Sequence, residues 1–334
     1  MDELNDILFD ACRDGKVEVI KFIIENNPNL VVKKGAQNNT ALHVACENGL
    51  LLDGIKILYE ACPGALTIFN DQGASPFHMS CVHGTSVANL MFLHEKMPIG
   101  IVTANVNGDL PMHWLSEDAS EELVEYLLEQ FPTSAEVKNK EGALPIHVAC
   151  NKGLSLNIIR LLHEAHPEGI LQPDNDGMLP IHHACEGSTN LELIKLLCEM
   201  SPVSFEKVDN EGNLALHYAV SSSPEIVNFV TEANKSALQK SNNYGFLPIH
   251  EACNLSVEMN IIKMLNENYP EGVKAKTPKG HLPFHLATTS RPILEYLYEL
   301  FDDAVKTPDE KGRYPIHIAC EQGSLNVFFI FLTR

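Results

Sequence analysis

A histidine recurs at nearly constant spacing along the chain, and this recurrence constrains the fold more than any other feature. Successive copies are 32 to 35 residues apart, and nine of them run through the 334 residues: His43, His78, His113, His147, His182, His217, His250, His285 and His317. A period of this size is typical of proteins built from stacked supersecondary units. We therefore predict one elongated domain, although the length alone would suggest two or three globular domains.

Each unit carries the same local signals around its histidine. A glycine lies five residues before the histidine in eight of nine units, and Asn38 replaces it in the ninth, which predicts a tight turn with positive φ. A proline two residues before the histidine, present in seven units, predicts the start of a first helix. An apolar pattern of helical period follows, as at Ile158, Ile159 and Leu162, and it predicts a second, amphipathic helix.

This turn–helix–helix unit, exemplified by LPIHVAC at residues 144–150, resembles the ankyrin repeat. The resemblance covers essentially the whole chain in ten tandem copies, because a further unit without a turn precedes the first histidine. It implies an all-α ankyrin-repeat solenoid that forms a single domain over residues 1–334. Within it we expect an N-terminal cap unit at 1–34, central repeats at 35–311 and an incomplete C-terminal unit at 312–334.

Most units depart from the family pattern at the residue before the proline position. The usual hydroxyl survives there only as Thr40 and Ser75, Tyr314 takes the place in one unit, and six units carry leucine: Leu110, Leu144, Leu179, Leu214, Leu247 and Leu282. Loss of the hydroxyl removes a helix cap worth about 1 kcal/mol. We expect the leucines to recover this stability by packing between adjacent turns.

The 15 histidines and nine cysteines resemble the chemistry of a site, since several units read H-x-A-C. The same pair recurs in six units, whereas an active site is single. Neighbouring helices are also about 8–10 Å apart, too far to share a tetrahedral metal or to form disulfides. We expect each ladder histidine to link its own turn to the next through backbone hydrogen bonds, and each cysteine to act as a small buried hydrophobe. A thiol- or metal-responsive protein is the rival interpretation.

Other chemical signals point away from catalysis. The sequence contains no phosphate-binding glycine loop, no zinc-protease motif and no nucleophile elbow, so we expect neither enzyme activity nor a cofactor. The net charge of −20 disfavours nucleic acids and anionic membranes, and no apolar run approaches a membrane span. The acidic N-terminus is not a signal peptide, so we expect reduced thiols in the cytoplasm or nucleus.

The resemblance implies a non-catalytic scaffold that binds a protein partner on a concave face built from turn tips and first helices. Met178, Tyr218, Tyr244 and Phe246 could form an apolar patch there, although Tyr218 and Phe246 could instead pack against neighbouring units. Trp114 is either a second anchor or compensation for the irregular packing of its unit. The full set of candidate partner-binding residues is Met79, Trp114, Met178, His183, Tyr218, Tyr244, Phe246, Lys279, Lys311 and Arg313.

Charge and the chain ends add three expectations. Residues 1–269 hold 16 basic and 36 acidic residues, whereas residues 270–334 hold eight of each, so an acidic body is followed by a neutral, locally basic end. The apolar stretch at 326–332 lacks the polar outer face of a terminal repeat. We therefore expect a fragment of a longer array, or a last helix covered by another unit or partner; without another chain there, we expect a monomer. The alternative function is a regulatory array cut from a larger enzyme, channel or signalling protein.

Overall fold

The fold is known from a computed structural model that describes residues 2–82, 86–187 and 190–324. Regular structure in these ranges consists of α- and 3₁₀-helices without strands, so the predicted all-α class is confirmed. The chain forms two compact units, Met1–Asn175 and Asp176–Arg334. The helices of the first unit are α1 (Asp2–Arg13), α2 (Val17–Asn26), α3 (Ala41–Glu47), α4 (Leu52–Ala61), α5 (Pro76–Met79), α6 (Val87–Lys96), α7 (Glu121–Gln130), α8 (Pro145–Asn151) and α9 (Leu156–Ala165). Those of the second unit are α10 (Pro180–Gly187), α11 (Leu191–Met200), α12 (Ala215–Ala219), α13 (Pro224–Ala233), α14 (Pro248–Leu255), α15 (Met259–Asn268), α16 (Pro283–Leu286), α17 (Arg291–Leu300) and α18 (Pro315–Glu321).

The predicted proline start of the first helices is confirmed, since helices such as α8 and α14 begin at that residue. One first helix is irregular: Pro111–Trp114 forms a single 3₁₀ turn and Leu115 is extended. Leu115 and Ser116 stand there in place of the usual Ala and Cys, and Leu115 is buried. This first helix therefore ends early, and Leu115, which is larger than the usual alanine, is buried.

Second helices end in a feature that the sequence analysis did not predict. The second residue after the helix, usually proline, begins a five-residue 3₁₀ helix that forms the exit from nine repeats, as at Pro63–Thr67, Lys235–Gln239 and Asp302–Lys306. Proline suits a first helical position because it needs no N–H there. Lys235 and Asp302 adopt the same turn without it, so proline is not required for the 3₁₀ geometry.

The ladder histidines connect consecutive turns, as predicted. In all nine, Nδ1 accepts a hydrogen bond from the backbone N–H three residues earlier, at 2.9–3.2 Å. In seven of them, Nε2 lies 2.9–3.2 Å from a backbone carbonyl of the following repeat, as for His43 with Ala74 and His217 with Phe246. This arrangement requires the neutral tautomer with the proton on Nε2.

The leucines that replace the family's hydroxyl are buried, as expected. Their exposed fractions lie between 0 and 7%. Where the hydroxyl remains, its oxygen lies close to Nδ1 of the histidine, 2.8 Å for Thr40 and 3.0 Å for Ser75. Leucine has no hydroxyl to donate to Nδ1, so six units keep only the backbone hydrogen bond to the histidine and add apolar packing.

The turns are held open by glycine and tied to one another by backbone hydrogen bonds. The predicted turn glycines and Asn38 all have positive φ. Consecutive tips are joined by bonds such as Lys140 N–H to Asn107 O at 2.8 Å and Asn243 N–H to Glu211 O at 2.8 Å. Pro278 stands at the equivalent donor position of its turn and has no N–H to give, so this step of the ladder lacks the bond.

The structure does not test the expectations about the C-terminal apolar stretch and about the bounds of the repeats. The apolar stretch at 326–332 lies beyond the described residues. The division into a cap at 1–34, central repeats at 35–311 and an incomplete unit at 312–334 stays a prediction.

Three glycine variants will separate backbone strain from steric contact. Gly312→Ala is strained by φ of 75° alone, since nothing lies near its added Cβ, and should cost about 1 kcal/mol. Gly245→Ala should cost more, because φ is 79° and the new Cβ would overlap Cδ of Pro278. Gly64→Ala, with ordinary φ and an open site, is the control and should be neutral. Urea denaturation measures all three, and equal losses for Gly245 and Gly64 would contradict the turn geometry.

Acid should destabilise the protein between about pH 6.5 and pH 4 because the buried histidines are neutral. Burial lowers the pKa of His43, His78 and His250 to about 4, and hydrogen bonds to backbone carbonyls offset this only in part. The unfolded chain binds protons below about pH 6.5, whereas the folded chain resists until about pH 4, so stability is complete above pH 6.5 and falls with pH inside this window. By pH 5.5 we expect a loss of about 1 kcal/mol for each such histidine.

Urea denaturation at about pH 7 and pH 5.5 checks this, because both conditions lie above the ordinary pKa of carboxylates. An unfolding free energy that does not change between them would show that the ladder histidines are not held neutral.

Candidate functional site

A side chain eight residues before the ladder histidine organises the turn tips, and the sequence analysis missed it. The oxygen of Asn139, Asp209 or Asn242 accepts the backbone N–H groups two and four residues later, at 2.7–3.0 Å. The sequence does carry a signal for this role. Eight residues before each ladder histidine from His78 onward, the residue is Asn, Asp or Thr: Asn70, Asn105, Asn139, Asp174, Asp209, Asn242, Thr277 and Asp309. These residues fix the tips that carry the candidate side chains.

In the second unit, the residue after the histidine joins this turn network. The Tyr218 hydroxyl donates to Asp209 Oδ2 at 2.5 Å, and Asn213 Nδ2 donates to the same oxygen at 3.1 Å. Asn242 Nδ2 donates to Asn213 Oδ1 at 2.8 Å and lies 3.2 Å from Glu251 Oε1. Tyr218 is half-buried, and burial together with the bond to Asp209 raises the pKa of its hydroxyl. This network ties first helices α12 and α14 to their turns.

A groove of about 240 Å³ lies over this network on the first helices of the second unit. Glu186, Glu211, Glu251, Tyr218 and the exposed Leu255 are among its lining residues. Burial raises the pKa of Glu251, and the Asn242 hydrogen bond offsets this in part. The groove therefore combines carboxylates, a fixed aromatic ring and an exposed aliphatic side chain.

The residues of the predicted apolar patch differ in how much of each side chain is exposed. Tyr244 is 56% exposed at a turn tip, and its hydroxyl donates to Glu211 Oε1 at 3.1 Å, beside the groove. Phe246 is half-buried, and its ring stacks on that of His250 with centroids 5.8 Å apart. Met178 is buried and His183 is half-buried. A continuous patch formed by Met178, Tyr218, Tyr244 and Phe246 stays a prediction.

Of the candidates in the first unit, Trp114 contacts its own repeat and the preceding one, and Met79 is buried. Trp114 is half-buried, its ring lies edge-on to the His78 ring at 5.5 Å, and its Nε1 donates to Asp109 Oδ2 at 3.4 Å. These contacts account for Trp114 as a packing residue of the irregular unit, and part of its ring remains accessible.

The basic candidates lie together at the last two turn tips. Lys279 and Lys311 are exposed, and with the half-buried Arg313 they line a pocket of about 210 Å³. Arg313 donates through Nε to Asp309 at 2.8 Å and through Nη1 to Glu321 at 2.9 Å. Burial would raise the pKa of Asp309, but hydrogen bonds from Arg313 and Lys311 hold it at about 2. Arg313 is therefore partly neutralised, and the two lysines carry most of the available positive charge.

The cysteines are free thiols, and six of them are buried. Burial raises the pKa of Cys12, Cys46 and Cys81 to about 12, so these thiols are poor nucleophiles. Among the described residues there is no group of three or more side chains that could hold a metal ion. No helix in the same ranges is long and apolar enough to cross a membrane.

Comparison with protein-family models detects ankyrin repeats in the chain. The family model described as ankyrin repeats (3 copies) matches residues 112–209 and residues 146–241. These ranges contain the groove's Glu186, Glu211 and Tyr218. No curated protein matches the chain.

Thiol titration tests whether the cysteines are structural. In the native protein we expect Cys320, which is exposed, to react first with Ellman's reagent, and the half-buried Cys62 and Cys198 to follow. The other six should react only after denaturation. Cys320→Ser should remove the fast phase and leave the slower ones. Fast reaction of the buried thiols in a protein that remains folded would instead support a thiol-responsive function.

Proposed function

We propose that this ankyrin-repeat protein is a non-catalytic scaffold that binds a protein partner through the turn tips and first helices of residues 176–324. Its family membership and its solenoid class, both predicted from the sequence, are confirmed by the family match together with the all-helical structure. Ankyrin repeats are generally modules of protein–protein interaction and are typically non-catalytic.

The exposed Tyr244 beside the acidic groove is the observation that carries the proposal. Its backbone N–H donates to Asn242 Oδ1 at 3.0 Å, so the tip is ordered before any partner arrives. A tyrosine in this setting offers a large amphipathic contact surface and loses little conformational entropy on binding. Tyrosine is also enriched among the residues that dominate binding energy.

Charge supports a defined orientation of the partner. The groove near Tyr244 carries Glu186, Glu211 and Glu251, whereas Lys279 and Lys311 lie at later tips of the same unit. A partner with basic groups for the groove and acidic groups for the lysines would bind in one direction. His183, Phe246 and Arg313 belong to the proposed surface as half-buried neighbours, and the buried Met178 would support it from below. Trp114 and Met79 would belong to a separate contact in the first unit.

The rest of the proposal follows from the sequence. We place the protein in the cytoplasm or nucleus, as a monomer unless another chain covers its C-terminal helix, with no cofactor and no nucleic-acid or membrane ligand.

Two aromatic variants separate binding from stability. Tyr244→Ala should leave the free energy of unfolding within about 0.5 kcal/mol, because the side chain is exposed, and should abolish capture of the partner. Phe246→Ala should cost about 1 kcal/mol or more, because it removes the stack on His250. Affinity capture with quantitative mass spectrometry compares each variant with the wild type.

Phe22→Ala is the matched control, since Phe22 is 70% exposed on second helix α2 of the first unit. Its captured proteins should equal those of the wild type. Unchanged capture by a stable Tyr244→Ala variant would refute the proposed surface.

A further inference from the structure

Helix α6 breaks a polar pattern that the other second helices keep. In the part of the chain that the structure describes, the fifth residue of each second helix is exposed or half-buried and is charged or asparagine in eight of nine: Lys21, Lys56, Glu125, Arg160, Lys195, Asn228, Lys263 and Glu295. In α6 this residue is Met91, which is 50% exposed. The second residue of α6 is the exposed Ala88, whereas seven of the others carry an acid or asparagine there. An outward helical face is normally polar, so α6 presents an apolar face without a role in the repeat.

This face forms one wall of a groove in the first unit. Met91, Ala88 and Phe92 of α6 line it together with Leu52 of α4 and Tyr126 of α7, and its volume is about 750 Å³. Ligand pockets typically have roughly 300–1,000 Å³, so there is room for more than one apolar side chain.

The groove is preformed by aromatic contacts. The Phe92 ring meets the Tyr59 ring edge-on with centroids 5.5 Å apart and planes at 90°. The Tyr126 hydroxyl lies 2.8 Å from His94 Nδ1. Side chains held in this way need not reorganise when a ligand enters, which favours binding.

Positive charge lies next to the apolar wall. The Nζ atoms of Lys56 and Lys96 lie 5.9 and 5.5 Å from the centroid of the Phe92 ring. Lys96 also pairs with Glu95 at 2.7 Å, which leaves Lys56 as the main cation of the groove lining. Glu95 also lines the groove, and Lys96 neutralises its carboxylate from outside the lining. Lys56 therefore gives the apolar groove one cation that can meet an acidic group of a ligand.

We propose that this α6 groove is a second docking surface, distinct from the turn tips, and that its occupant is an acidic amphipathic helix of a partner protein. Apolar side chains one helical turn apart would lie over Met91 and Phe92, and an Asp or Glu of the same helix would pair with Lys56. A helix lying in a groove is an established mode of recognition. The described residues contain no sheet edge that an extended peptide could join. A second copy is disfavoured because each chain carries a charge of −20.

A displayed library of helix-forming peptides, about 18 residues long, tests this on the immobilised full chain. Selection on the wild type is paired with counter-selection on Met91→Lys. That variant should fold, because α2, α4, α11 and α15 carry lysine at the same position, and a thermal melt checks it. We expect enriched peptides with Leu, Met or Phe one turn apart and Asp or Glu beside them.

A selected peptide then gives the measured effects. Met91→Lys should weaken its binding about tenfold or more, because it removes apolar contact. Lys56→Gln, which keeps the aliphatic stem, should weaken it severalfold, with a loss that shrinks at high salt. Lys195→Gln, at the equivalent position of α11, is the control and should change nothing.

Four outcomes would overturn the proposal. Enriched peptides could be basic, or could bind Met91→Lys as tightly as the wild type. The library could yield no peptide that depends on Met91. Sedimentation could show a dimer that Met91→Lys converts to a monomer, which would make a second copy the occupant.

Discussion

The neutral imidazole of the ladder histidine is the interaction on which the repeat depends. It accepts a hydrogen bond within its own turn and, in seven repeats, donates one to the next, so one side chain fixes both the local turn and the stacking of its neighbour. Burial makes the charged form costly, and protonation of Nδ1 would remove the acceptor that the turn needs. Because the same group serves repeat after repeat, the chain depends on histidine chemistry without using it for catalysis.

The predictable part of the fold is the part governed by backbone geometry. Positive φ at the turns, proline at helix starts and helical apolar periods each leave a residue-specific trace, and all three were read correctly. The 3₁₀ geometry of the exits was missed because proline there indicates the end of the second helix without specifying the turn that follows, and Lys235 and Asp302 adopt the same turn without proline. The column eight residues before the histidine did leave a trace, but its role depends on hydrogen bonds to N–H groups that become available only in the folded turn.

The candidate partner-binding residues stay a prediction, and their exposure could not be read from the sequence. Candidates such as Tyr244, Lys279 and Lys311 at the turn tips are exposed, whereas Met79 on a first helix is buried, because accessibility depends on the neighbouring side chains. Tyr244 remains exposed, whereas Met178 two residues before the proline position is buried. Arg313 belongs to the end that the sequence indicates is locally basic, yet Asp309 and Glu321 partly neutralise it. Pairing of this kind depends on three-dimensional distances that a column of residue types does not contain.

Because the chain repeats one unit many times, equivalent positions can be compared among its repeats, and a repeat that departs from the others can be recognised. Among the described residues there are nine second helices, and the ninth residue of each is an exposed glutamate, near a helix C-terminus where the dipole disfavours negative charge. Glutamate recurs at this position although the helix dipole disfavours it. Its recurrence is therefore explained better by the solubility of the outer face than by the stability of the helix. On this outer face, where the other repeats mostly carry a charged residue, Met91 would contribute to stability only if another group packed on it. The groove beside it is therefore better explained as a contact surface than as tolerated variation.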